Sequence, residues 1–69
     1  MLNITKITTL QHRVLWRTTG ATECKIVHCT GSTALAALPP SGAATLPTGS
    51  YWLQAHNGTD YKAEPFTID

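Results

Sequence analysis

The sequence predicts a small all-β domain, an antiparallel β-sandwich of about six to seven short strands. The chain has 69 residues, which is room for a single domain spanning residues 1–69. Segments rich in Thr, Val, Ile and aromatic residues alternate apolar with polar positions, and turn residues separate them at short spacing. No segment keeps apolar residues at the 3.6-residue period of a helix over about 11 residues.

Composition excludes several classes of protein. The net charge is +1, and 13% of the residues are charged against 42% that are hydrophobic. So few and such balanced charges do not predict the basic stripe of a nucleic-acid binder, and the hydrophobic content is too high for a disordered chain. No apolar run approaches the roughly 20 residues of a membrane span. The start, Met1–Lys6, lacks the features of a signal peptide, so we expect a protein made in the cytoplasm and not exported by that route.

The N-terminal third predicts two strands. Residues 1–11 are expected to form a short edge strand or an arm that docks on a partner. The next strand spans His12–Thr19 and ends at Gly20. Within it, Val14 and Trp16 share a face that we assign to the core, because the alternate face carries two arginines.

The middle third predicts one clear strand and one ambiguous segment. In the strand Thr22–Cys29, charged residues mark the outer face, which also carries Val27, while Ile26 faces inward. The apolar segment Thr33–Pro40 ends in two prolines, so we expect a loop or a short irregular edge strand. A single helical turn over Ala34–Leu38 is the alternative.

The C-terminal third predicts a short strand followed by a hairpin. Ser41–Leu46 and Ser50–His56 are the first two strands, and Asn57-Gly58 is a strong hairpin signal. In the returning strand, Tyr61–Ile68, Pro65 predicts an edge position, and a mismatch in alternation on either side of it predicts a bulge there. The predicted core comprises Val14, Trp16, Ile26, Tyr51, Leu53, Phe66 and Ile68.

No catalytic, metal or cofactor site is predicted. Cys24 and Cys29 would lie on opposite faces of one strand, roughly 16 Å apart, so we expect two free thiols in a reducing compartment. Zinc could in principle use these thiols with one of three scattered histidines, but no Cys-x-x-Cys or His-x-x-x-His spacing appears. No Gly-rich phosphate-binding loop appears in the sequence. We therefore expect a protein that is not an enzyme and has no cofactor.

Two runs resemble bacterial and phage immunoglobulin-like domains. Residues 14–26 are similar to the pattern Leu-x-Trp-x-Thr-x-Gly-Ala-Thr-x-x-x-Ile of that family's strands B and C. Residues 51–58 are similar to its Tyr-x-Leu-x-Ala-x-Asn-Gly on strand F. The resemblance implies an immunoglobulin-like sandwich with Trp16 as the central core aromatic. It also implies that the Tyr51 hydroxyl bonds backbone across a corner.

The resemblance further implies a structural role on a larger assembly. Such sandwiches serve as accessory modules on phage and bacterial surfaces, so we expect a bacteriophage virion component, either a capsid decoration protein or a head or tail accessory protein. A capsid or tail would be the partner, with neither nucleic acid nor membrane, and a homo-oligomer is possible. The alternatives are a small inhibitor of a host enzyme or defence complex and a carbohydrate-binding surface module.

Four apolar residues are the candidates for contact with a partner. Trp52 points away from the core by alternation, on the same outer face as Val27, and an exposed Trp beside an apolar residue is a candidate hot spot. Alternatively, a lysine stem covers Trp52. Leu35 and Leu38, in the apolar Thr33–Pro40 segment, are the second candidate patch, unless that loop folds over one end of the sandwich.

Overall fold

Seven strands in two antiparallel sheets make up the fold, which confirms the prediction of a small all-β sandwich. The computed structural model describes all residues from Met1 to Asp69. The sheets have the orders β1-β2-β5 and β4-β3-β6-β7. The strands are β1 (Asn3–Leu10), β2 (Arg13–Thr19), β3 (Glu23–His28), β4 (Thr33–Leu38), β5 (Ser41–Thr45), β6 (Gly49–His56) and β7 (Tyr61–Ile68).

The fourth strand sets this sandwich apart from a constant-type immunoglobulin domain. In that domain the fourth strand lies in the same sheet as the first, second and fifth strands. Here β4 pairs with β3 instead, so the chain crosses between the sheets at Pro39-Pro40. The lateral side formed by β4 and β5 therefore carries one edge strand of each sheet.

Strand β1 is paired with β2 inside the domain, from Asn3 to Leu10. A bulge at Thr5 interrupts the register between Ile4 and Lys6, and the Thr5 hydroxyl donates a hydrogen bond to the Arg17 carbonyl. The extra residue shifts the alternation by one position. Ile4 and Ile7, three residues apart, can therefore both pack against the core.

The apolar segment after β3 is a strand, so the alternative of a helical turn over Ala34–Leu38 is wrong. Strand β4 lies at the sheet edge and is irregular, with register shifts against β3 on both sides of Ile26. One of these shifts lies near Ala37, which has a positive φ of 57°. The segment thus forms the short irregular edge strand that the sequence predicts.

Strands β6 and β7 form the predicted hairpin, but the predicted bulge at Pro65 is wrong. Their register runs unbroken from Gly49 opposite Ile68 to His56 opposite Tyr61. The mismatch in alternation has another cause. Lys62 and Glu64 occupy inner-face positions of an edge strand, and at this end of the strand both reach solvent. Pro65 is tolerated because β7 is an edge strand.

The core lies between the two sheets and contains all seven residues predicted for it. Val14, Ile26, Leu53 and Ile68 are fully buried, and Trp16 is 4% exposed. The buried cluster comprises Leu2, Val14, Trp16, Cys24, Ile26, Leu46, Tyr51, Leu53, Ala55, Phe66 and Ile68. Four members lie outside the predicted core, namely Leu2, Cys24, Leu46 and Ala55. Of these, Leu2 precedes the first strand, so no strand alternation indicates its burial.

Tyr51 closes the corner that leads into β6. Its ring is 1% exposed and stacks on Phe66, with ring centroids 5.6 Å apart. Its hydroxyl donates a 2.7 Å hydrogen bond to the Pro47 carbonyl. This is the backbone bond that the resemblance implied, and it holds the turn before β6 against the strand.

Tyr51→Phe should lower the free energy of unfolding by about 1 kcal/mol, because the partly buried hydrogen bond to the Pro47 carbonyl is lost while the ring packing stays. Urea denaturation followed by far-ultraviolet circular dichroism measures this change. The matched control is Tyr61→Phe, since Tyr61 is 60% exposed. Its loss should be within about 0.5 kcal/mol. Equal effects of the two substitutions would contradict a stabilising role for the corner bond.

Candidate docking surface

The patch predicted around Trp52 and Val27 is smaller than expected. The two residues are cross-strand neighbours on the outer face, as the alternation predicts. Trp52 is 40% exposed, but Val27 is only 7% exposed. Val27 lies between Trp52 on β6 and Thr33 on β4, and these neighbours account for its lack of contact with solvent. Val27 is therefore corrected from a candidate contact residue to a covered one.

Leu35 and Leu38 turn inward. Leu35 lies opposite Ile26 and Leu38 opposite Cys24, which are both core positions. Both leucines are partly buried and pack against the core cluster. They are corrected from a docking patch to a cover over one side of the sandwich. Of the four candidates, Trp52 alone presents a large exposed apolar surface.

Trp52 has no aromatic neighbour with which to form a sugar-binding platform. Tyr61, its nearest candidate, lies on the same outer face but opposite His56. Since His56 is four residues from Trp52, the two rings are separated by roughly 13 Å along the sheet. They do not make one continuous stacking surface.

The thiols and imidazoles are dispersed. Cys24 is a buried free thiol and Cys29 an exposed one. Burial raises the pKa of the Cys24 thiol, as does the charge of Glu23, against an opposing effect of a hydrogen bond with Thr18. A thiol with a raised pKa stays protonated and is a poor nucleophile. No three His, Cys, Asp or Glu side chains come together as a metal site.

The surface that the structure adds is the outer face of the β1-β2-β5 sheet, which we call the basic face. The register places Lys6 beside Arg17, Thr8 beside Leu15 and Leu10 beside Arg13. Leu10 is 69% and Leu15 is 44% exposed, and the three cations are exposed as well. From β5 the face receives only small residues. The basic face consists of Lys6, Thr8, Leu10, Arg13, Leu15, Arg17, Ser41, Ala43 and Thr45.

A shallow groove crosses the basic face. Its volume is about 590 Å³, and Lys6, Arg17 and Leu15 are among the residues that line it. The small side chains of Ser41 and Ala43 on β5 form its other border. The groove therefore combines an apolar floor with two cations at one end, a composition suited to an anionic and partly apolar protein surface.

The charges are segregated between the two sheets. Lys6, Arg13 and Arg17 lie on the β1-β2-β5 sheet, which carries no acidic residue. All acidic residues lie on the other sheet or at its ends, where the remaining two lysines also lie. No Asp, Glu, Lys or Arg occurs between Lys25 and Asp60, so β4, β5 and β6 are uncharged. The net charge near zero is thus the sum of a positive charge on the β1-β2-β5 sheet and a negative charge on the other sheet.

One signal in the sequence could have located the basic face. The first acidic residue is Glu23, and every charge before it is positive. The alternation correctly assigned Arg13, Leu15 and Arg17 to one exposed face. The sequence does not show how β1 pairs with β2. The bulge at Thr5 in that pairing decides on which face Lys6 lies.

No helix in the structure has the length and apolar character needed to cross a membrane. Comparison with protein-family models, with curated proteins and with solved structures finds no match for this chain.

Proposed function

We propose that this chain is a non-enzymatic structural protein that docks through its basic face on a larger protein assembly, a bacteriophage head or tail. The observation that carries the docking role is the basic face. Two exposed leucines lie there among three cations and no acidic residue, and a shallow groove runs beside Leu15, Lys6 and Arg17. Exposed apolar residues rimmed by charge are typical of protein contact sites.

The choice of assembly rests on the resemblance of residues 14–26 and 51–58 to phage and bacterial immunoglobulin-like domains. In this proposal the protein is made in the host cytoplasm and captured on the virion. The small size supports such a role, because a domain of about this length buries little surface and gains stability from the surface that binds it.

The chemistry of the face favours an acidic protein surface as the partner. Three cations could neutralise only a few phosphates, and the face carries no aromatic residue on which a base could stack. The exposed Leu10 and Leu15 instead offer apolar surface that a protein partner would cover. Binding to random-sequence duplex DNA at physiological salt would contradict this assignment.

The first test is the composition of particles purified from a lysate in which the chain is produced during infection. We expect mass spectrometry to find the chain in the particles in many copies. Its absence from particles, together with co-purification with a host enzyme, would instead support the inhibitor alternative and overturn the virion role.

The second test locates the contact. Arg13→Glu combined with Arg17→Glu should weaken binding to particles by at least about tenfold, since like charges then face the acidic partner. Both side chains are exposed, so the fold should be retained. The matched control, Lys25→Glu combined with Lys62→Glu, makes the same charge change on the other sheet and should bind nearly as the wild type does. If Trp52→Ala lost binding while the double arginine variant bound as the wild type does, the contact would lie on the outer face of the β4-β3-β6-β7 sheet instead.

A further inference from the structure

We infer that the free edge of β5 pairs with β5 of a second copy, joining two domains through one continuous sheet. Strand β5 is hydrogen-bonded to β2 on one side and has no strand on the other. This inference concerns self-association and does not depend on what the basic face binds.

The open edge of β5 has defined donors and acceptors. The Leu46 amide donates to the His12 carbonyl, and this bond continues the β2-β5 register by one pair. Because N–H and C=O groups alternate in direction along a strand, Gly42 and Ala44 also point towards β2. The N–H and C=O groups of Ser41, Ala43 and Thr45 must then point away from the sheet.

The other three edge strands carry a bulge, an irregular register or a proline that discourages pairing, whereas β5 is short but regular. Strand β1 is bulged at Thr5, β4 is irregular and contains Ala37 at positive φ, and β7 contains Pro65. Bulges and prolines are the devices that protect sheet edges. The sequence of β5, Ser-Gly-Ala-Ala-Thr, has no charge and no proline, and its register with β2 is regular.

A second copy fits this edge by symmetry. A two-fold axis perpendicular to the sheet places Ala43 opposite Ala43 of the other copy and Ser41 opposite its Thr45. Both are antiparallel pairs in which each residue offers free groups, giving about six hydrogen bonds. The facing side chains are small, and no like charges come into opposition, since β5 and both flanking connections are uncharged. The short contact predicts weak, concentration-dependent dimers.

Sedimentation of the wild-type chain over a wide concentration range tests the pairing. The weight-average mass should rise from 7.4 kDa towards twice that value. In Ala43→Lys two ammonium groups would face each other across the axis, and dimerisation should weaken by at least about tenfold. The control Thr8→Lys adds the same charge to the same face two strands from the edge, and it should dimerise as the wild type does.

Amide hydrogen exchange on the wild type supplies a test that needs no variant. The amides of Ser41 and Ala43 should exchange quickly in dilute protein and slow down as the concentration rises, whereas Gly42 and Ala44 should be protected throughout. A wild-type chain that stays monomeric at every concentration overturns the inference. So does a rise in mass that leaves the exchange of Ser41 and Ala43 unchanged.

Discussion

Trp16→Ala should cost about 3–5 kcal/mol of folding free energy, enough to leave most of the chain unfolded at room temperature. Trp16 is 4% exposed and packs between the sheets, so its removal leaves a cavity. Its indole Nε1 also donates a 3.0 Å hydrogen bond to the Pro39 carbonyl. Pro39 begins the crossover between the sheets, so this bond couples the core to the path of the chain.

Two comparisons separate the contributions of Trp16. Trp16→Phe keeps an aromatic ring in the core but loses the bond to Pro39, and it should cost less than the alanine variant. Trp52→Ala removes the same side chain from the outer face, where 40% of it is exposed, and should cost about 1–2 kcal/mol as Val27 becomes uncovered. Urea titration followed by circular dichroism gives all three values. Equal losses for Trp16→Ala and Trp52→Ala would contradict the assignment of faces.

Gly20→Ala should cost about 3–5 kcal/mol, the second-largest effect that we expect. Gly20 has a φ of 74°, a conformation that costs an L-residue about 1–2 kcal/mol. A Cβ atom there would also collide with the Met1 carbonyl. To relieve the collision, the Met1-Leu2 segment must move and Leu2 must leave the core, where its burial contributes about 1.5–3 kcal/mol.

Gly58→Ala is the matched control, because Gly58 also has a positive φ, 93°, but open space where a Cβ would lie. Gly58→Ala should therefore cost only the free energy of holding an L-residue at positive φ. In a Leu2→Ala background, the unfolding free energy lost through Gly20→Ala should fall close to that lost through Gly58→Ala. Leu2→Ala and Gly20→Ala both act on the Met1-Leu2 segment, so their effects should not add. Thermal or urea unfolding provides the comparison, and fully additive effects would show that Gly20 does not support Leu2.

The prediction of the strands from the sequence succeeded where alternation is regular. In β2 and β6 the charged or polar positions identify the outer face, and Val14, Trp16, Tyr51 and Leu53 are therefore assigned correctly. Alternation gives the face of a residue but not what covers it there. That is why Val27 was placed on the right face and yet is buried, by neighbours that only the pairing of three strands brings to it.

Features that depend on pairing between distant segments could not be predicted from the sequence. Leu2 enters the core because the chain start lies against Gly20, and neither residue carries a strand pattern that shows this. The bulge at Thr5 and the regular register at Pro65 are likewise properties of two strands together. The basic face depends on the first of these, which explains why its arginines were recognised as exposed but not as part of a larger surface.

The segregation of charge gives the domain an electric dipole directed across the sandwich, from its acidic side to the basic face. A chain with almost no net charge feels little overall attraction to an anionic surface, but a dipole is turned by the field as it approaches. The domain should therefore approach an anionic surface with its β1-β2-β5 sheet facing that surface. Because this effect is screened within about 8 Å at physiological ionic strength, added salt should slow association more than it speeds dissociation.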